Sequence, residues 1–248
     1  GSDAGSLKTK ADKKGNTYRL NGEKIYVTNG RWSNFFLVMA RTGEAGSKGI
    51  TAFSVDRNQK GVSIGKEEDK MGLSASSTVQ MSFDEVELTE DQVLLGLGEG
   101  FKVAMQALDG GRISVASQAL GTAQASLAAG ISYAKEREQF GKPIADFQAI
   151  QWKLANAATE LAAADLLIRR AAWMKARGQK VTQEASMAKL FSTEAAIRVC
   201  NEMIQIFGGY GYIKEYPVER FYRDVRVTAL YEGTSEIQRV VILRELLR

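Results

Sequence analysis

Near its C-terminus the chain reads Tyr231-Glu232-Gly233-Thr234-Ser235, a carboxylate set between an aromatic ring and a glycine. A carboxyl in that setting can be partly desolvated, and desolvation raises its pKa toward that of a working general base. Upstream lie a glycine-rich run, Gln205-Ile206-Phe207-Gly208-Gly209-Tyr210-Gly211-Tyr212, and a charged segment, Glu219-Arg220-Phe221-Tyr222-Arg223-Asp224. The chain contains no histidine, so a proton-transfer step must use Glu, Asp, Lys, Tyr or the single cysteine, Cys200. One cysteine excludes an internal disulfide and any multi-cysteine metal site. Without histidine a zinc or haem site is not expected. Read alone, a Glu in a Gly-Thr-Ser loop is a solvated turn residue, so the elements that position it matter.

Those elements fall into two halves with different periods. Up to about Leu88 the pattern is that of short strands. Tyr18-Arg19-Leu20 and Ile25-Tyr26-Val27 flank Asn21-Gly22, whose residue types predict a hairpin turn. Phe35–Met39, Ile50–Val55 and Ser77–Phe83 are further strand candidates, with a loop from Gly43 to Gly49. Strands at this spacing predict an antiparallel barrel or sandwich over residues 1–97. After Gly98-Glu99-Gly100 the period becomes helical. Phe147, Ile150, Leu154, Ala158 and Leu161 step by three or four residues along one predicted face. A second long helix opens at Thr182, a candidate cap, and stops at Gly208-Gly209. Pro217 suits the first turn of a short helix. Long helices with short connections predict an antiparallel four-helix-type bundle over residues 98–248, and the abundant alanines allow close approach. The fold class is therefore α+β and multidomain.

With 248 residues there is ample chain to bury a core. The formal charge of +4 is spread along the sequence and reads as a solvated surface, although cationic phosphate pockets also fit. No apolar run approaches the roughly 18 residues needed to span a bilayer, so no membrane insertion is expected.

The order and spacing of Gln205, Gly208, Gly209, Gly211, Glu215, Arg220 and Asp224 resemble the acyl-CoA dehydrogenase family. The resemblance runs over the whole chain, through Lys24-Ile25-Tyr26-Val27-Thr28-Asn29-Gly30 and Arg137-Glu138-Gln139-Phe140-Gly141. It implies a middle β-domain followed by a C-terminal helical domain. Gly1-Ser2-Asp3-Ala4-Gly5-Ser6 is similar to the second half of the family's glycine-rich loop, a cloning remnant being the other reading of Gly1-Ser2. The expectation is that the family's N-terminal helical domain is absent from this chain, a fragment of a longer protein.

The resemblance further implies an FAD-dependent oxidation of an acyl-CoA thioester to a trans-2-enoyl-CoA. Glu232 would take the α-proton, its backbone N–H would hold the thioester oxygen, and the β-hydrogen would leave as hydride to flavin N5. Some branched- and long-chain relatives carry the base on the first bundle helix. Here Asp109-Gly110-Gly111-Arg112 puts Gly111 at that place, which leaves Glu232 and favours a short- or medium-chain straight acyl group. Tyr26, where the family commonly has Trp, and Thr28 would lie near the isoalloxazine, and Thr234 and Ser235 near the pyrophosphate. Arg137, Gln139 and Phe140 would reach the ADP portion of a cofactor held by a neighbouring subunit, as would Gln205, Gly208 and Gly209. Ser2, Asp109, Arg112, Gly233 and Arg244 match positions touching the substrate, Arg112 having an ion pair with Asp109 as its plainer role. Met105, Leu108 and Leu230 could line the acyl pocket, although such residues are core by default. The implied partners are acyl-CoA, an electron-transfer flavoprotein, and copies of the same chain in a homodimer or homotetramer. The implied location is the cytoplasm in bacteria or the mitochondrial matrix in eukaryotes. Alternatives are an acyl-CoA oxidase-like relative that uses oxygen, and a DNA-associated relative suggested by a pI of about 9.0. Basic and acidic residues alternate, as in Glu219-Arg220 and Arg223-Asp224, and nucleic-acid binding is not expected.

Overall fold

A computed structural model describes residues 1–248, and the chain divides into two compact units, Gly1–Ala107 and Leu108–Arg248. The first unit is built on one seven-stranded sheet. Its strands are β1 (Lys10–Lys14), β2 (Thr17–Thr28), β3 (Phe35–Arg41), β4 (Ile50–Asp56), β5 (Val62–Glu67), β6 (Thr78–Thr89) and β7 (Val93–Leu94). The order across the sheet is β5-β6-β2-β1-β3-β4-β7. Every pairing is antiparallel except β1 with β3, so the sheet is mixed. Alternate residues of β2, β3 and β6 point inward, and Tyr18, Leu20, Phe36, Val38, Phe53, Val79, Met81 and Leu88 are buried in one core. Each such side chain is worth about 1.5–3 kcal/mol on burial.

Asn21-Gly22 is not a hairpin turn. Both residues lie within the continuous strand β2, at a register shift opposite β6. The Asn21 amide Nδ2 donates to Glu85 Oε1 at 2.6 Å, and its Oδ1 accepts from the Glu85 backbone N–H at 2.8 Å. Gly22 has φ +129°, and a Cβ there would stand 3.0 Å from Thr9 Cα. The dipeptide therefore makes a bulge, another use of the same conformational freedom. The tight turn is Gly15-Asn16, which joins Lys14 to its ladder partner Thr17.

The second unit is helical. α1 (Gly100–Glu136) leads into a small hairpin of β8 (Glu138–Gln139) and β9 (Lys142–Pro143). Then come α2 (Gln148–Ala176), α3 (Thr182–Phe207), the short α4 (Val218–Val225) and α5 (Ser235–Leu246). α3 is central and packs on α2, α4 and α5. Its core is rich in alanine, including Ala116, Ala119, Ala123, Ala157, Ala164 and Ala196. On α2 the inward stripe runs through Ile150, Leu154, Ala157, Leu161, Ala164, Ile168 and Ala171. Ala157 rather than Ala158 belongs to it, because steps alternate between four and three residues and Ala158 faces outward. Thr182 does not cap α3: the preceding residue is Val181, and Thr182 Oγ1 instead donates to Asp109 Oδ2 at 2.8 Å. Gly208, at φ +59°, closes the helix as expected. Pro217 stands at the N-cap of α4, one residue before its first turn. No helix is long and apolar enough to cross a membrane.

Candidate functional site

Glu232 lies in the turn between a 3-10 segment, Arg226–Ala229, and α5. Its φ of +55° puts it in the left-handed region, and Gly233 follows at +89°. A non-glycine residue held there costs about 1–3 kcal/mol and persists only when its surroundings fix it. They do so from two helices. Lys189 Nζ, on α3, donates to the Gly233 carbonyl at 2.7 Å. Gln238 Nε2, on α5, donates to the carbonyls of Glu232 at 3.1 Å and Gly233 at 2.8 Å. A Cβ on Gly233 would meet that amide at 2.7 Å. Thr234 opens α5, its Oγ1 accepting weakly from Ile237 N at 3.4 Å.

The Glu232 side chain extends to α1. A Cβ at Gly111 would lie 2.5 Å from its Oε2, so the bare helix backbone gives the carboxylate its place. Burial holds the Glu232 carboxyl above the usual carboxylate range, and the charges of Arg112 and Lys189 partly offset that rise. Neither carboxylate oxygen accepts a hydrogen bond within the chain, and the Glu232 backbone N–H donates to nothing. An unpaired base and a free donor thus stand on one residue.

The other proton carriers are committed elsewhere. Arg112 is 4% exposed, donates from Nη1 to Asp109 Oδ1 at 3.0 Å and reaches Ser186 Oγ at 3.4 Å. Asp109 also accepts from Thr182. The Arg112–Asp109 ion pair is therefore present, and burial lowers the guanidinium pKa. Lys189 is fully buried, and burial, followed by Arg112, lowers its pKa to about 8. Burial raises the Tyr231 phenol, which bonds to Gln118 and stays protonated. The Cys200 thiol is pushed up to about 12 by burial in the helical core.

A second cluster surrounds a 430 Å³ cavity lined by Tyr133, Arg137, Gln139, Phe207, Gly208, Gly209 and Tyr210 among others. Such a volume is within the range of small-ligand sites, about 300–1,000 Å³. The Arg137 guanidinium lies 5.9 Å from the Tyr210 ring centre. The β8–β9 turn is Phe140-Gly141, both residues at positive φ, and Phe140 is 93% exposed. Gln205 is exposed at the end of α3. Ser235 Oγ is buried without a partner at the start of α5. A slightly larger cavity of 460 Å³ on α2 and α3 gathers none of these residues. Its charged groups are already paired, Arg198 with Glu160 and Lys153 with Glu202.

The remaining positions are more dispersed. Arg244, on α5, is exposed but close enough to act on Arg112 electrostatically. Leu230 is half exposed and Leu108 partly buried. In the first unit, Tyr26 is exposed with φ +55° at an irregularity in β2, Thr28 pairs with Thr78, and Ser2 precedes the sheet. Met105 also belongs to that unit. Sequence reasoning missed Lys189 and Gln238. Their signal was a polar side chain in a buried row: Lys189 lies between Ala185 and Thr193 at steps of four, and Gln238 precedes Val241 by three.

Comparison with known proteins matches residues 98–247 to the acyl-CoA dehydrogenase C-terminal domain and residues 1–86 to the acyl-CoA dehydrogenase middle domain. A 3-(aryl)acrylate reductase of Clostridium sporogenes is 51% identical over 100% of this chain and 66% of its own length. The butyryl-CoA dehydrogenase structure from Megasphaera elsdenii superposes with a TM-score of 0.98 and 46% identity, over 100% of this chain and 65% of that one. A chain in a structure of the electron transferring flavoprotein of Acidaminococcus fermentans gives a TM-score of 0.98 and 46% identity, over 100% and 66%. The chain thus spans just under two thirds of the length of the relatives it matches.

Proposed function

The chain belongs to the acyl-CoA dehydrogenase family, and from that premise we propose that it carries the base and most of the cofactor contacts of an FAD-dependent dehydrogenase. The substrate is a short- or medium-chain acyl-CoA and the product its trans-2-enoyl thioester. One observation carries the reading: the left-handed Glu232 presents an unpaired carboxylate and a free backbone N–H. The α-proton of a thioester is too weakly acidic to leave unaided, so a base and a donor to the developing enolate oxygen must act together. Glu232 would supply both, removing the α-proton with its carboxylate and donating its N–H to the thioester oxygen. Partial burial makes it basic, while Arg112 and Lys189 keep that rise in check.

The residues fit FAD. The Arg137, Gln139, Gly208 and Gly209 cavity offers a cation, an amide and open backbone for an ADP moiety, with Phe140 and Gln205 exposed beside it in sequence. Ser235 brings an unpartnered hydroxyl to the start of a helix, where a pyrophosphate is favoured, with Thr234 before it. Tyr26 and Thr28 would flank the isoalloxazine. Bound FAD would supply the two-electron acceptor for the β-hydrogen. Asp109, Arg112, Gly233, Arg244 and Ser2 would address the polar part of the substrate, although Arg112 spends one donor on Asp109. An electron-transfer flavoprotein is the proposed acceptor, and a homodimer or homotetramer the proposed assembly.

The test is stopped-flow flavin absorbance with a series of acyl-CoA thioesters. Glu232→Gln should slow bleaching by about 10²–10⁴-fold, with substrate and FAD still bound. Normal bleaching by that variant would show that the wrong base has been named. Rapid reoxidation by oxygen, without an electron-transfer flavoprotein, would favour the oxidase alternative. The 51% identity to a reductase favours a second reading, in which Glu232 returns a proton to the α-carbon of an unsaturated substrate. Faster reoxidation of the reduced flavin by an enoyl thioester than by either acceptor would select it.

A further inference from the structure

We propose that Lys189 and Gln238 are positioning residues for Glu232, clamping the Glu232 and Gly233 carbonyls so that the carboxylate is held against Gly111. The inference rests on the reading of Glu232 as the base. Lys189 is fully buried on α3, and its hydrogen-bonded partner is a neutral carbonyl, Gly233 O at 2.7 Å, rather than a carboxylate. A buried cation without a close counter-ion is a costly way to staple a loop. Gln238 is also fully buried and spends both donors on the same two carbonyls, while its own Oε1 has no partner. Two helices thus aim buried donors at successive carbonyls of one left-handed pair. The Glu232 N–H, on the preceding peptide unit, is left unused by the fold.

Lys189 also contributes charge. The groups facing this site are Asp109 and Arg112 on α1, Tyr231 on the turn, and Glu236 and Arg244 on α5. Among them, Arg112 and Lys189 are the cations that favour the ionised form of Glu232. A clamp that only shaped the backbone could use a neutral donor; Lys189 does both tasks from one atom.

The two contributions separate in experiment. In the FAD-loaded full-length protein, Lys189→Met removes donor and charge, whereas Gln238→Leu removes donors alone. Lys189→Met should slow flavin bleaching about 100-fold, the effect of misplacing a reacting group by about 1 Å, with KM for the acyl-CoA unchanged. It should also move the titration of Glu232 to higher pH. That titration is read without turnover from the protonated-carboxyl infrared band, assigned by its loss in Glu232→Gln. Gln238→Leu should slow bleaching with the titration unmoved. A wild-type rate or an unmoved titration in folded Lys189→Met overturns the proposal. Should Lys189→Met fail to fold, Gln238→Leu decides: a wild-type rate overturns the clamp, and a slower rate at unchanged KM supports it. Full activity in Glu232→Gln sinks the base assignment instead, so the two failures are distinct.

Discussion

As the proposed base, Glu232 would be one residue that is poor for the fold and good for chemistry. Its backbone is strained, and burial lifts its carboxyl above the ordinary range. That shift has a signed effect on stability. Between the ordinary carboxylate pKa and the raised one, the folded protein keeps a proton that the unfolded chain has released. Stability therefore falls as pH rises through that window. Glu232→Gln resembles the protonated form at every pH and escapes the loss. The variant should be slightly more stable than the wild type at neutral pH and equal to it below the ordinary carboxylate range. Urea midpoints at the two pH values check this; a variant less stable at neutral pH would mean that Arg112 and Lys189 outweigh desolvation. The charged cluster itself was only half legible in the sequence. Glu232, Asp109 and Arg112 sat in motifs, whereas Lys189 and Gln238 had only their place in a buried row to mark them.

At the scale of elements, α1 and the turn before α5 meet at Gly111. A Cβ there would fall beside the Glu232 carboxylate, so position 111 can deliver a side chain to the same space from another helix. The double variant Gly111→Glu, Glu232→Gln should recover part of the bleaching rate and prefer different chain lengths. The helix propensity gained by replacing a glycine is offset by that contact, because the side chain at position 232 must shift to admit the new Cβ. No recovery in a folded double variant would place the α-carbon out of reach of α1. The longer elements were readable from their residue types and spacing, as in β3, β4, β6 and the three long helices α1, α2 and α3. β1 was missed because Ala11 is its single inward residue among lysines and an aspartate; pairing with β2 makes it a strand. Asn21-Gly22 misled for a related reason. Local turn chemistry also suits a bulge, and the long partner strand β6 decided between them.

At the scale of the whole molecule, the β8–β9 hairpin presents an almost fully exposed phenylalanine next to a cavity holding Arg137. If FAD is shared between subunits, Arg137→Ala should cost a charged hydrogen bond of about 1.5–3 kcal/mol, roughly 10- to 100-fold in FAD affinity. It should also weaken the dimer, because a ligand bound across two chains stabilises their association. Equilibrium dialysis and sedimentation measure the two effects; a monomer with unchanged FAD affinity would remove the shared site. The bulge in β2 bears on the molecule's lifetime. In a mobile chain, an Asn-Gly pair ages by attack of the glycine nitrogen on the asparagine side-chain carbonyl, expelling ammonia and closing a succinimide that water opens to aspartate or isoaspartate. In the fold, Glu85 holds the Asn21 amide by two hydrogen bonds and the strand ladder holds Gly22. Both reacting groups are thereby restrained. Deamidation at Asn21 therefore becomes a chemical clock that runs when β2 and β6 separate, recording in a purified sample how long its molecules have spent open.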